Sequence, residues 1–356
     1  VESVQGRVTT MRKPGYVFAL CALALGFVVV ILGAYTRLVH AGLGCPDWPG
    51  CYGFIGVPRS AESIELAQLR FPDDPVEAFK AWAEMIHRYV AGLLGLVILG
   101  LALFSLRKRR IPGYPVGLSV GLLLLVICQA AFGMWTVTWK LWPQIVTLHL
   151  LGGFATLSLL LLLILRLSGS YAPLSPRKVV VRLRYFARFA LIVVIGQIML
   201  GGWTSTNYAA LACVDLPTCH GVWWPEMDFA AGFHLFHEIG PNYLGGILMG
   251  EGRTAIHVTH RIGAVITSVV LLLLAWRMFE VGLGRLACLL LAVLALQVSL
   301  GISNVLLHLP LAVAVAHNAV GAVLLLTMVA INYRLRAPAK NAFFSPDRTS
   351  GLLASR

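Results

Sequence analysis

Residues 84–88 read Glu84-Met85-Ile86-His87-Arg88 and run straight into the apolar stretch YVAGLLGLVILGLALFSL. Residues 256–261, Ile256-His257-Val258-Thr259-His260-Arg261, open a second such stretch. Ionisable groups at the mouth of a membrane helix are expensive and mark function. Crossing a ~30 Å hydrocarbon core takes about 20 apolar residues. Working outward from these two stretches, the sequence offers eight such runs, near 16–37, 84–106, 115–137, 145–167, 186–206, 255–279, 285–306 and 312–335. The chain therefore reads as an all-α polytopic membrane protein.

Composition agrees. Of 356 residues, 58% are hydrophobic and 12% charged, about half the charged share of a soluble protein. The formal charge of +13 does not point to nucleic acid, because its placement follows the membrane. If the chain alternates through eight spans, 20 of the 28 Lys and Arg fall on one side, with clusters at 107–110, 177–184 and 334–336. The other side holds 12 of the 15 acids. By the positive-inside rule both termini are cytoplasmic, and the long loops at 38–83 and 207–254 face outward. No cleaved signal or transit peptide is read at the N-terminus, and a bacterial plasma (inner) membrane is the expected location.

The chain also repeats itself. LGAYTRLVHAGLGCPDWPGC (32–51) aligns with LGGWTSTNYAALACVDLPTC (200–219) at an offset of 168, matching Cys45 to Cys213 and Cys51 to Cys219. His87-Arg88 matches His260-Arg261 at an offset of 173. The offset then returns to 168 for Gln129 and Gln297, Gly133 and Gly301, and His149 and His317. Four spans per unit give both units the same orientation. The expected architecture is two tandem four-helix bundles related by a pseudo-two-fold axis along the membrane normal. The divisions are a cytoplasmic N-terminus (1–15), an N-terminal repeat (16–167), a linker (168–185), a C-terminal repeat (186–335) and a tail (336–356).

The repeat singles out four of the ten histidines. His149, His260 and His317 each lie 17 residues from the arginine at the basic end of their span, and His87 lies 20 from Arg107. At 1.5 Å per residue, the four imidazoles share a layer about 25–30 Å above that boundary. A lone interfacial histidine is usually a satisfied polar group; two levelled pairs suit the two axial positions of a haem iron held between bundle helices. Zinc is less suited, because neither pair has clear further ligands. Arg88 and Arg261 follow a candidate ligand and suit haem propionates; snorkelling anchors are the bland alternative. Arg37 is a similar candidate, although its counterpart is Ser205. Glu84 stands where the second half has His257, three residues before the ligand and on the same helix face. Both are expected to project toward their own porphyrin, where a carboxylate would accept protons or offset positive charge. The alternative for Glu84 is an acid serving the helix dipole. Cys45, Cys51, Cys213 and Cys219 lie on the oxidising side, as staples or as redox groups. Cys21, Cys128 and Cys288 read as small core residues.

Eight spans in two repeats, Glu84-x-x-His87-Arg88, the loop cysteine pairs and the four histidines together resemble the haem A synthase family over about 16–335. The resemblance implies oxidation of the C8 methyl of haem O to a formyl group, by successive hydroxylations, to supply cytochrome oxidase. It implies haem b on His260 and His317 and substrate haem O on His87 and His149, with Glu84 beside the reacting edge. His257 is then a neighbour of the ligands, and the disulfides are expected within each loop. Haem O synthase, cytochrome oxidase assembly factors, membrane lipid and a second copy of the chain are the partners to expect. A di-haem electron-transfer cytochrome is the alternative that two equivalent halves would favour.

The topology has a direct check. A reporter active only outside the cytoplasm should work when fused within 207–254 and stay silent when fused after Arg336.

Overall fold

A computed structural model describes residues 12–169, 178–235 and 238–336. The helices are α1 (Tyr16–Leu38), α2 (Ala61–Arg70), α3 (Ala78–Arg107), α4 (Val116–Thr138), α5 (Pro143–Ser168), α6 (Lys178–Thr206), α7 (Phe229–Gly232), α8 (Gly250–Glu280), α9 (Gly284–Leu306) and α10 (Leu311–Arg334). Among the described residues there is no strand beyond two isolated bridges, Cys51 with Phe54 and Cys219 with Val222. Seven helices, α1, α3, α4, α5, α8, α9 and α10, are long and apolar enough to cross a membrane. The eighth expected span lies within α6, whose first turns carry Lys178, Arg182, Arg184 and Arg188. Two boundaries move. Helix α3 begins at Ala78, before Glu84, and α6 begins at Lys178, so residues 178–185 of the expected linker are helical. The rest of that linker from 170 to 177, most of the N-terminal segment and nearly all of the tail lie outside the described residues.

Helices α1, α3, α4 and α5 touch in a closed circuit: α1 with α3, α3 with α4, α4 with α5, and α5 with α1. Helices α6, α8, α9 and α10 repeat that circuit. The two circuits join where α5 meets α6 and α10, and where α1 meets α10. Several chain reversals recur at the 168-residue offset. His40 and Tyr208, Tyr52 and His220, Lys140 and His308, and Leu141 and Leu309 all have positive φ, a region that non-glycine residues enter only when the surroundings require it. The helix ends before them close with matching i to i−5 bonds: Ala41 N to Thr36 O and Ala209 N to Thr204 O at 2.9 Å, Leu141 N to Thr136 O at 2.8 Å, and Leu309 N to Asn304 O at 2.7 Å. Such bonds satisfy the terminal carbonyls of a helix.

The packed core fills only part of each bundle. In the first it is built from Ala19, Ala22, Leu94, Ile98, Leu101, Leu122, Leu160, Leu163 and Leu167. In the second and at the seam it includes Phe154, Leu157, Val194, Leu271, Leu274, Met278, Leu290, Leu325, Met328 and Ile331. Most of these residues belong to the basic halves of the helices, while Phe154 lies within two turns of His149. The close packing stops about two turns short of His87 and three short of His260, at 3.6 residues per turn. The loop ends carry smaller, separate clusters, Met85 and Ala81 under the first disulfide and Trp203 with Ile256 in the second half.

Cys21, Cys128 and Cys288 correct the sequence reading, for all three lie on the exposed outer faces of their helices. They share that surface with Leu96, Ile192 and Val265, each about two-thirds exposed. In a membrane protein the lipid-facing surface is apolar too, so an apolar residue in a span is not thereby a core residue.

Candidate functional site

His87 lies on α3 and His149 on α5, which face each other diagonally across the first circuit and make no direct helix contact. His260 on α8 and His317 on α10 hold the same diagonal in the second. Within each pair the imidazoles are close enough to interact electrostatically. All four rings are surrounded by protein, yet each keeps accessible surface, as a side chain lining an internal cavity does.

The rings have ligand capacity to spare. Nδ1 of His87, His149 and His317 is buried without a hydrogen-bond partner, a costly state that demands an explanation. At His260 the Gln197 amide lies 3.1 Å from Nδ1, leaving Nε2, and Gln297 lies 3.3 Å from Nε2 of His317. Among the described residues no three His, Cys, Asp or Glu side chains gather as metal ligands. A porphyrin iron brings four nitrogens of its own and asks the protein for two. Two diagonal imidazole pairs, each ring with a nitrogen that no protein group occupies, fit that requirement.

Above each pair sits a disulfide loop. Cys45 is bonded to Cys51 and Cys213 to Cys219. In each loop an aspartate gathers the turn. Asp47 accepts from the N–H groups of Tyr52 (2.6 Å) and Gly53 (2.8 Å), and Asp215 from those of His220 (2.8 Å) and Gly221 (3.0 Å). The Thr218 hydroxyl, with the Gly221 and His220 amides, holds the Asp215 carboxyl down at about 2. Burial, helped by the neighbouring acids, pushes the Tyr52 phenol in the first loop up to about 12.

Glu84 and Arg88 tie the first loop to α3. Glu84 is buried, and its carboxylate accepts from the Cys45 N–H at 2.9 Å and from Arg88 at 2.5 Å. The Arg88 guanidinium also donates to the carbonyls of Asp47 (3.0 Å) and Gly50 (2.6 Å). In the second half the Cys213 N–H lies 3.2 Å from Nδ1 of His257, and Arg261 Nε lies 3.3 Å from its Nε2. Arg261 donates to the carbonyls of Thr218 and Cys213. A carboxylate accepts from both neighbours at once, whereas a neutral imidazole has a single acceptor nitrogen and satisfies one. Glu84 and His257 thus occupy one position in two copies of a frame and differ in what they can hold. Their polar atoms engage the loops overhead. Arg88 and Arg261, read from sequence as propionate partners, grip loop carbonyls. Glu84 sits two turns into α3, whose first turn contains no acid, so the helix-dipole reading loses its basis.

Two features escaped the sequence reading. Gln197 has no counterpart in the first half, where Val29 stands, and its signal was a lone amide inside IVVIGQIMLGG. Asp47 and Asp215 match at the 168 offset but look like ordinary loop acids.

Comparison with known proteins adds an independent finding. The pattern of the family described as Cytochrome oxidase assembly protein matches residues 16–329. A protein of Shewanella oneidensis named Heme A synthase is 51% identical over 320 residues, covering 88% of this chain and 94% of that one. Proteins of the same name from Caulobacter vibrioides (31% over 351 residues; 92% and 97% covered) and Nitrosospira multiformis (29% over 351 residues; 92% and 94% covered) are similar along the same length.

The Glu84–Arg88 pair makes a stability prediction. Removing the arginine strands a buried carboxylate, so Arg88→Leu should cost about 3–5 kcal/mol, while Glu84→Gln, which keeps an acceptor for Cys45 N–H, should cost less. The double variant should recover part of the loss. Thermal unfolding of the three purified proteins checks this; additive losses would mean that the pair is not coupled.

Proposed function

From the premise that this chain belongs to the Cytochrome oxidase assembly protein family, we propose how its four histidines divide the work. The enzyme is an oxidoreductase that converts haem O to haem A. Within it His260 and His317 hold a resident haem b, and His87 and His149 hold the substrate. The haem b, when bound, supplies one-electron redox chemistry. The observation that carries this division is that Glu84 stands in the first half where the second has His257, so only the substrate half has a carboxylate in that frame.

The reaction takes the C8 methyl of haem O to a formyl group through an alcohol and a hydrated aldehyde that loses water. Overall four electrons leave the carbon, and protons leave with them. Glu84 is the group beside this edge able to accept protons or offset positive charge, in a water-poor setting where such effects are large. Its anchoring by Cys45 N–H and Arg88 fixes the carboxylate without a rotamer search. The second half has no carboxylate at that position and is suited to holding a cofactor rather than oxidising one.

Eight crossings in two bundles about a pseudo-two-fold axis complete the reading. The eighth is the uncharged stretch 189–206 of α6. Support comes from residues that meet their own equivalents 168 positions away. His40 stacks on Tyr208 at 5.5 Å, Arg37 donates to the Ser205 carbonyl at 2.5 Å, and the Tyr333 hydroxyl donates to the Leu165 carbonyl at 3.0 Å. Only residues on a two-fold axis meet their own images, and these lie at opposite ends of the bundles. Exchanging the halves also carries the α1–α10 contact onto the α6–α5 contact. Both termini are cytoplasmic and the disulfide loops periplasmic.

Two experiments test the assignment. Replacing His260 or His317 by alanine should remove or perturb a low-spin b-type spectrum in the purified protein; unchanged spectra and haem content in both variants would refute the ligand pair. Glu84→Gln should leave that haem b in place and cut haem A output at least tenfold, with haem O or its alcohol accumulating. Chromatography of extracted haems reads the outcome, and normal haem A output rules out a catalytic Glu84.

A further inference from the structure

Glycine inside a helix is unfavourable relative to alanine, yet one stands opposite each of the four histidines. Gly33 on α1 faces His87, Gly133 on α4 faces His149, Gly201 on α6 faces His260, and Gly301 on α9 faces His317. Each lies on the membrane helix preceding the one that carries its histidine. In all four the ring atom nearest an added Cβ is Cε1, the carbon between the two nitrogens. The distances would be 3.0 Å at Gly33, 3.1 Å at Gly301, 3.2 Å at Gly201 and 3.5 Å at Gly133. Ordinary contact begins at 3.4 Å.

Small residues in membrane helices usually let two helices approach, and that explanation suits neighbouring Gly202, whose Cβ would meet Thr147 and Leu150 of α5. It does not suit the four. Among the described residues beyond their own helix turn, the only atoms within 4 Å of an added Cβ at Gly133 and Gly301 belong to the imidazole, and at Gly33 and Gly201 the three nearest atoms all do.

Building on the ligand assignment above, we propose that Gly33, Gly201 and Gly301 are positioning residues, whose missing side chain seats the imidazole edge against the neighbouring helix and so sets where its nitrogens point. At His87 and His260 the two nitrogens are equidistant from the would-be Cβ, at 3.6 and 3.9 Å. A methyl group there pushes the ring head-on and moves both nitrogens together. The proposal is graded: Gly133, already at ordinary contact distance, tolerates alanine.

The test uses the full-length protein purified with its haem. Gly201→Ala and Gly301→Ala should each lose the low-spin b-type signal, in absorption and electron paramagnetic resonance, or retain haem b roughly tenfold more weakly. Gly196→Ala, on the same helix as Gly201 with nothing within 4 Å of its Cβ, should match the parent. A glycine serving only helix packing would lower the melting temperature and leave the folded fraction spectrally normal. His260→Ala separates the two claims. If it loses the signal while both glycine variants keep it, the glycine role is wrong; if it keeps the signal, the ligand assignment fails and this inference with it. Should both variants misfold, haemin titration of the substrate half decides. Gly33→Ala should bind roughly tenfold more weakly than Gly133→Ala, and equal binding overturns the proposal.

Discussion

A porphyrin is a flat plate that asks for two ligands from opposite sides, and a helical bundle resists opening such a slot. On the proposed assignment, this chain has to keep its helices together at one end and leave room for such a plate at the other. The basic halves of the spans interdigitate large apolar side chains such as Leu271, Met278, Leu163 and Met328. The loop halves carry glycines and part-buried imidazoles instead. A cavity in a well-packed interior is destabilising, so a bundle that takes up a porphyrin at one end needs close packing at the other. The disulfide loops act as rigid covers. Each is closed on itself by its cysteines and an aspartate, and then held down by an arginine from the helix bearing His87 or His260.

Duplication explains why the second half resembles the first, and one position sets their polar frames apart. In the first, Glu84 is a hydrogen-bond sink and a charge; in the second, His257 receives the corresponding loop amide with a neutral ring. A buried carboxylate beside a cationic partner is stable only while the pair is intact. The loop, the arginine and the acid therefore form one unit, and altering the cover alters the chamber below it.

Much of this was legible in sequence because the membrane simplifies the code. The apolar runs marked seven spans, with starts up to six residues late, and the repeat filtered ten histidines to four in two matched pairs. What escaped was direction. Hydrophobicity marks the spans but does not tell lipid from core, so Cys21, Cys128 and Cys288 were placed inward when they face out. Helical spacing put Glu84 on the face of α3 that carries His87, expected to project toward a porphyrin, whereas Cys45 N–H and Arg88 engage its carboxylate. Nor does spacing register the glycines opposite the histidines, since close approach is a property of two helices and the pattern describes only one. The start of α3 was missed because its first turns, Ala78 to Ala83, are amphipathic and lie beyond the apolar run.

Where two copies of a unit meet around a two-fold axis, residue faces equivalent residue, and identity becomes a liability. Arg37 facing a second arginine would set two guanidinium groups together in a partly buried seam, an arrangement that repels strongly where water is scarce. The second half has Ser205, whose carbonyl accepts from Arg37. The same holds for His40, which stacks on Tyr208 with the rings 7° apart, while Arg37 lies 4.0 Å over that tyrosine ring. Burial, together with the positive charges of Arg37 and Lys80, disfavours the protonated form of His40, so a neutral aromatic partner suits it. A lone four-helix unit pairing with its own copy would have had to use one residue for both sides of each such contact. Fusing the copies into one chain freed the two sides to differ, first at the seam and then at Glu84, where the second half has His257 instead.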